Sequence, residues 1–241
     1  MGATAAGATL LGALYWVCMS PYSQLLGRFP YRGASTRPQV ALTFDDGPNE
    51  PYTSQIADYL DERGIRATFF QVGTAVGRHP QVTRRLLQGG HVIGHHSHTH
   101  KFTRCLRRDA LEKEIRDASL VFADLGIRPA LYRPPWLVRV PPLFSILRRH
   151  GLQPISGEFC HPLEVFQPDP ERIARATLAK VRPGSIVIFH DGFDGHPGYR
   201  ASTVAAVKLV VERLFADGYS FTTVDRLLDI PAYQGSGLAQ R

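Results

Sequence analysis

The residues with the most chemical potential are Thr43-Phe44-Asp45-Asp46-Gly47-Pro48. Two adjacent carboxylates follow the apolar run Val40-Ala41-Leu42 and precede a Gly-Pro turn. Like charges in one small site resist joint ionisation unless a cation or a set of donors compensates. Alone, the stretch also reads as a strand running into a solvated turn. The histidines further on decide between the two. Five of them lie in His91-Val92-Ile93-Gly94-His95-His96-Ser97-His98-Thr99-His100. If the chain turns helical at His96, then His96 and His100 share one face, a turn apart. Such a pair can ligate one metal ion. Two imidazoles and a carboxylate, with one position open for water, form a catalytic zinc set; a structural zinc would want four protein ligands. His91, His95 and His98 read as hydrogen-bonded core or surface residues.

Something must position these groups. Hydrophobic patterning predicts strands at 39–45, 67–72, 91–94, 131–133, 152–155, 185–190 and 219–224. Helices are predicted at 52–63, 74–88 (interrupted at Pro80), 109–125, 142–150, 171–180 and 203–215. About seven strands alternating with helices argue for a parallel α/β architecture. Asp45-Asp46, His95-His96, Arg133 and His190-Asp191 all fall at strand C-terminal ends. A (β/α) barrel places its active site there. A doubly wound sheet would concentrate such residues at one switch point.

Taken together, Thr-Phe-Asp-Asp-Gly-Pro and Gly-His-x-Ile-Gly-x-His-Ser-x-Thr-His resemble the polysaccharide deacetylases, the nodulation-type deacetylase domain of carbohydrate esterase family four. Arg133-Pro134-Pro135 and Ile186-Val187-Ile188-Phe189-His190-Asp191 resemble two further motifs of that family, in the family's order. The resemblance runs from about Val40 to Leu228. It implies a distorted (β/α) barrel and a divalent metal, usually zinc. By matching position it implies Asp46, His96 and His100 as metal ligands. It likewise implies Asp45 as general base, Arg133 as the residue orienting that base, and His190 as general acid. Pro135 and Trp136 fall in the substrate and oxyanion region, with the Trp136 N–H as the oxyanion donor.

Three departures from the family pattern stand out. An aromatic followed by Gly is usual after the arginine motif; here Trp136-Leu137 follows. The usual Tyr of the histidine motif is His98. The family's Asp-Trp pair is missing from Ser156-Gly157-Glu158-Phe159-Cys160-His161. That Asp tunes the acid histidine, and Glu158, Glu164 and Asp169 are its possible replacements here.

The segment from Ala3 to Met19 carries no charge, and Leu10, Leu11, Leu14, Tyr15, Trp16 and Val17 cluster in its second half. A membrane span needs about 20 apolar residues, and Trp and Tyr favour the interface. The expectation is an N-terminal apolar helix over 1–27, a transmembrane or interfacial anchor that makes the protein membrane-associated. A deacetylase domain over 38–230 and a flexible tail over 231–241 complete the division. Lys and Arg number 28 against 21 Asp and Glu, a net charge of +7. Much of the excess is Arg in pairs that read as solvated helix faces; an anionic lipid surface or an acidic polymer is the alternative partner, and no nucleic-acid motif supports nucleic acid. Three scattered cysteines make no disulfide framework.

The expected activity is metal-dependent removal of N-acetyl groups from an N-acetylated glycan or a lipid-linked sugar. Hydrolysis of an O-acetyl ester or another non-peptide amide, and glycan binding without turnover, are the alternatives.

Overall fold

The computed structural model describes residues 2–34 and 36–235. The first element is helix α1 (Gly2–Met19); β1 (Gln39–Asp45), α2 (Tyr52–Glu62) and β2 (Thr68–Gln71) follow. Next come α3 (Gly73–Arg78), α4 (Pro80–Gln88), β3 (Val92–His95), α5 (Phe102–Cys105) and α6 (Arg108–Asp124). Then come β4 (Leu131–Tyr132), α7 (Leu143–Arg149), β5 (Gln153–Pro154), β6 (Glu158–Phe159) and α8 (Pro170–Lys180). The last are β7 (Ile186–His190), α9 (Ala201–Ala216), β8 (Ser220–Thr222) and α10 (Val224–Leu228). Pro80 divides the expected 74–88 helix in two, because proline lacks the N–H that a continuing helix requires. Elements missed from sequence are β6, α5 and α10, each too short to carry a periodic signal.

Seven strands stand in the order β5-β4-β3-β2-β1-β7-β6, and β8 pairs with β1 off this path. Every strand pairing is parallel. The curled sheet with its surrounding helices is a distorted (β/α) barrel, as expected. Alternation along β1 sets the two layers. Leu42 and Phe44 face the helices, where Phe44 stacks on Phe69 at 4.9 Å and on Phe189 at 5.9 Å. Ala41 belongs to the other, smaller cluster with Phe70, Leu131, Ile155 and Ile186. Thr43 and Asp45 share that inner face, so the register of one strand aims the first carboxylate into the barrel.

β5 and β6 stand at opposite ends of the order and do not pair with each other. The chain just before β1 fills the gap. Pro30 O accepts from Ser156 N at 2.9 Å, Gly33 N donates to Gly184 O at 2.8 Å, and Arg32 pairs with Glu158 at 3.0 Å. Phe29 is fully buried against Leu137 and Ile188. Burying such a ring contributes about 1.5–3 kcal/mol.

The membrane anchor is not borne out. Among the described residues no helix is long and apolar enough to cross a membrane. An 18-residue helix spans roughly 27 Å against a hydrocarbon core of about 30 Å, and Ala and Gly dilute this one. The C-terminal end of α1 is instead tied to the domain. Cys18 O accepts from Arg139 N, and Val17 O and Ser20 O accept from Arg139 Nη2 at 2.9 and 2.8 Å. At the other terminus Ala232 O accepts from Ala130 N and Gln234 N donates to Arg128 O, both at 2.8 Å. The rest of the expected tail, 236–241, lies outside the described residues.

Candidate active site

β1 ends on Asp45, and the chain turns sharply at Asp46, whose φ is 76°. The turn is tight enough that a Cβ at Gly47 would overlap the Asp191 carboxylate, so only glycine fits. β3 ends on His95 and leads to His96. The expected helix from His96 to His100 does not form. Ser97 (φ 64°) and His100 (φ 54°) are left-handed, and an irregular loop brings the two imidazoles together.

Asp46, His96 and His100 converge, their potential ligand atoms all within 4.8 Å of one another. Asp46 Oδ1 lies 3.3 Å from His96 Nε2 and 3.1 Å from His100 Nε2. His96 Nδ1 lies 2.7 Å from the Arg133 carbonyl. A carbonyl only accepts, so Nδ1 carries the proton and Nε2 presents a lone pair to Asp46. Asp46 Oδ1 is buried without a hydrogen-bond partner. A carboxylate oxygen facing the His96 lone pair in a buried site needs a cation or a proton between them. Burial alone would raise the Asp46 carboxyl, but His100, His96 and His190 outweigh it and hold it well below the ordinary range. Burial likewise opposes charge on His100, and Asp46 and Asp194 overcome it and raise that imidazole. This donor set fits a divalent metal.

Asp45 sits beside this cluster and meets a buried guanidinium. Arg133 Nη1 donates to Asp45 Oδ1 and to Thr43 Oγ1, both at 2.7 Å, and Nη2 donates to Ser156 O at 2.8 Å. Its guanidinium also lies 4.1 Å over the Phe70 ring. Burial lowers the Arg133 pKa, with Asp45 opposing. The pair fixes the direction of Asp45.

Across the pocket His190 ends β7. His190 Nδ1 lies 2.6 Å from Glu164 Oε2, and Thr203 Oγ1 donates to Glu164 Oε1. Burial alone would lower the His190 pKa, but the Glu164 carboxylate outweighs it and pushes it up to about 9. Of the three acids left open by the sequence, Glu158 pairs with Arg32 and Ser185, and Asp169 caps α8 by accepting from Arg172 N. Only Glu164 reaches the histidine. Phe159 stacks against His190 with ring centroids 6.4 Å apart and planes nearly parallel at 11°.

These groups line one pocket of about 310 Å³, with Pro134, Trp136, Leu137, Phe166 and Phe193 in its walls. Residues 32–155 match the family described as polysaccharide deacetylase. The chain belongs to the polysaccharide deacetylase family. This deacetylase is 33% identical to the peptidoglycan-N-acetylglucosamine deacetylase of Bacillus cereus, over 78% of this chain and 87% of that protein. It is 31% identical to the chitooligosaccharide deacetylase of Sinorhizobium fredii, over 78% of this chain and 91% of that one. Among solved structures, a family 4 acetyl xylan esterase from Clostridium thermocellum in complex with a cobalt ion aligns with a TM-score of 0.71 at 30% identity. That alignment covers 81% of this chain and 94% of the esterase. The chain is thus an enzyme of the polysaccharide deacetylase class.

Most of the residues named from sequence meet in this deacetylase's pocket, with two qualifications. Arg133 stands behind Asp45 rather than in the wall, and Pro135 is buried and does not line the pocket. Trp136 does line it, its ring 4.3 Å from that of His100. Leu137, standing where the family has Gly, adopts φ 56°. A left-handed Leu costs roughly 1–2 kcal/mol, and burial against Phe29 and Ile188 holds it there. His91, His95 and His98 stay out of the pocket, as expected. His91 Nδ1 accepts from Ala67 N at 3.1 Å and His95 Nε2 lies 3.0 Å from Ile115 O. Burial pushes both imidazoles down to about 4.

Sequence reasoning missed Asp194, Phe159, His161, Phe166 and Phe193. Asp194 N donates to Asp46 Oδ2 at 3.0 Å. Its carboxylate lies 3.0 Å from His100 Nδ1, off the hydrogen-bonding line. Its nearness to the His190-Asp191 motif was the one available signal.

Proposed function

We propose that this deacetylase removes the acetyl group from N-acetylated amino sugar units of a glycan, using zinc held by Asp46, His96 and His100. The unpartnered Asp46 Oδ1, facing two imidazole nitrogens between Asp45 and His190, carries this reading. When bound, such an ion polarises the acetamide carbonyl and makes a water acidic enough to attack at neutral pH. Asp45, aimed by Arg133, accepts the proton of the attacking water. The Trp136 N–H, by analogy with the family, faces the oxygen on which charge develops. His190, protonated through Glu164, gives its proton to the departing amine. An amine is a poor leaving group until protonated, so a histidine raised to about 9 suits the task.

The named relatives support the substrate class: one acts on peptidoglycan N-acetylglucosamine and one on chitooligosaccharides. Acetate release from N-acetylglucosamine oligomers by the metal-stripped protein, with and without added zinc, tests the proposal. Zinc-dependent release is expected. No release from the oligomers, or from an N-acetylated lipid-linked sugar, would refute it. A second reading, O-acetyl ester hydrolysis, is favoured by the similarity to an acetyl xylan esterase. Preference for acetylated xylan over the amide oligomers would establish it instead.

A further inference from the structure

The loop that carries His96 and His100 is held in an unfavourable shape, and one buried carboxylate closes it. Ser97 and His100 are both left-handed, at φ 64° and 54°. For residues with a side chain each such position costs of order 1–3 kcal/mol and persists only where the surroundings over-determine it. Glu114, on α6, is 1% exposed and reaches this loop from behind. Its Oε2 accepts from His98 N at 3.1 Å and from Thr99 N at 2.6 Å. Its Oε1 accepts from Thr99 Oγ1 at 2.9 Å and from Arg104 Nη1 at 2.8 Å. Both oxygens are therefore committed, two bonds each, and three of the four donors belong to the loop.

The same helix holds the loop's entrance. Ile115 O lies 3.0 Å from His95 Nε2, and His95 Nδ1 accepts from Ser97 N at 3.1 Å. The start of α3, itself packed against Ala118 of α6, holds the loop as well: Gly73 N and Thr74 N donate to the carbonyls of Ser97 and His98 at 3.0 and 2.9 Å. His100 N closes back on Ser97 Oγ at 3.1 Å. The loop is thus gripped by two helices, α3 and α6. Glu114 brings a carboxylate to the loop's backbone N–H groups, and such charge-assisted bonds are the stronger kind.

We infer that Glu114 is a positioning residue for the metal centre, presetting the distance between His96 Nε2 and His100 Nε2. It touches neither the pocket nor the reacting atoms. The inference rests on the proposed metal centre. Its test is ion affinity: zinc or cobalt titrated against a competing chelator into the metal-stripped full chain and its Glu114→Gln variant. Gln keeps the size but turns an N–H₂ group toward donors. Loss of a group bonded directly to a metal ligand typically weakens binding 10- to 100-fold; Glu114 holds the loop between the ligands, one step further out, so a loss of about 10-fold is expected here. The visible spectrum of the cobalt form should change as well, because it reports ligand geometry.

A purely structural role would lower the thermal midpoint of the metal-free protein and leave the dissociation constant and the cobalt spectrum untouched, which overturns the inference. Should Glu114→Gln fail to fold, Thr99→Val removes one of the loop donors and keeps the rest. A smaller loss of affinity supports the inference and no loss overturns it. His100→Ala serves as reference. Ion binding that His100→Ala abolishes and Glu114→Gln leaves alone counts against Glu114 only. Absence of any His100-dependent binding in the unaltered chain takes down the metal centre, and this inference with it.

Discussion

The two sides of the pocket are built by different means. On one side Asp45, Asp46, His96 and Arg133 sit at or just beyond the ends of β1, β3 and β4. Sheet register places them: Asp45 pairs with Phe70 of β2, and His95 with Tyr132 of β4. On the other side His190 also ends a strand and pairs with Asp45. Its partner Glu164, however, comes from a short 3₁₀ turn in the irregular stretch after β6. That turn is fixed by scattered contacts: Arg200 Nη1 donates to Val165 O at 2.7 Å, and Gln167 Nε2 donates to Thr203 Oγ1 at 2.8 Å. Where register does the positioning, the functional residues stay adjacent in sequence and form a motif. Where a loop does it, any acid that reaches the histidine serves.

The sharpest test of the strand-built side is Asp45→Asn. Loss of a general base costs about 10²–10⁴-fold, so acetate release should fall by that factor while zinc binding persists. Full activity in this variant would remove Asp45 from its proposed role. Phe29→Ala probes what both sides lean on, since Phe29 packs under Leu137 and beside Ile188. A loss of about 3–5 kcal/mol in unfolding free energy is expected from denaturant titration; a loss under about 1 kcal/mol would mean that the plug is dispensable.

Glu164→Gln addresses the loop-built side. His190 must be protonated to act as an acid, so the rate should fall as pH rises through about 9. Removing the Glu164 charge lowers the His190 pKa, and the alkaline limb of kcat/KM should move to lower pH. An unmoved limb would separate Glu164 from the chemistry. Stability carries the same signature. A histidine raised from 6.5 to about 9 contributes stability that is whole below pH 6.5 and lost as pH climbs toward 9. The thermal midpoint of the variant should lack that decline.

The smallest effect belongs to Asp169→Ala. It removes the N-cap of α8 and costs about 1 kcal/mol. The pH profile should stay in place, because Asp169 caps a helix and does not contact His190. A shifted profile would erase the distinction between the two acids.

Much of this was legible before any coordinates. Strands alternating with helices pointed to the fold class, the clustered histidines pointed to a metal site, and the family resemblance implied Asp46 as the third ligand and Asp45 as the base. His96 and His100 were expected on a helix, four residues apart. They meet across a left-handed turn instead, because Glu114 and the N–H groups of Gly73 and Thr74 favour the loop. The apolar start of the chain reads as a membrane span by composition. Its length and Ala-Gly content do not make one.

The sequence by itself determined which groups end the parallel strands, since short apolar runs buried on both faces and the turn residues that stop them are local properties. It therefore determined the carboxylate pair, the two imidazoles and the buried guanidinium. Tertiary structure alone decided which acid stands behind His190, which residues fill the gap between β5 and β6, and what holds the histidine loop in its strained form. Each of those depends on groups far apart in the chain meeting at hydrogen-bond distance. No spacing rule encodes that, because it follows from the packing of the whole barrel.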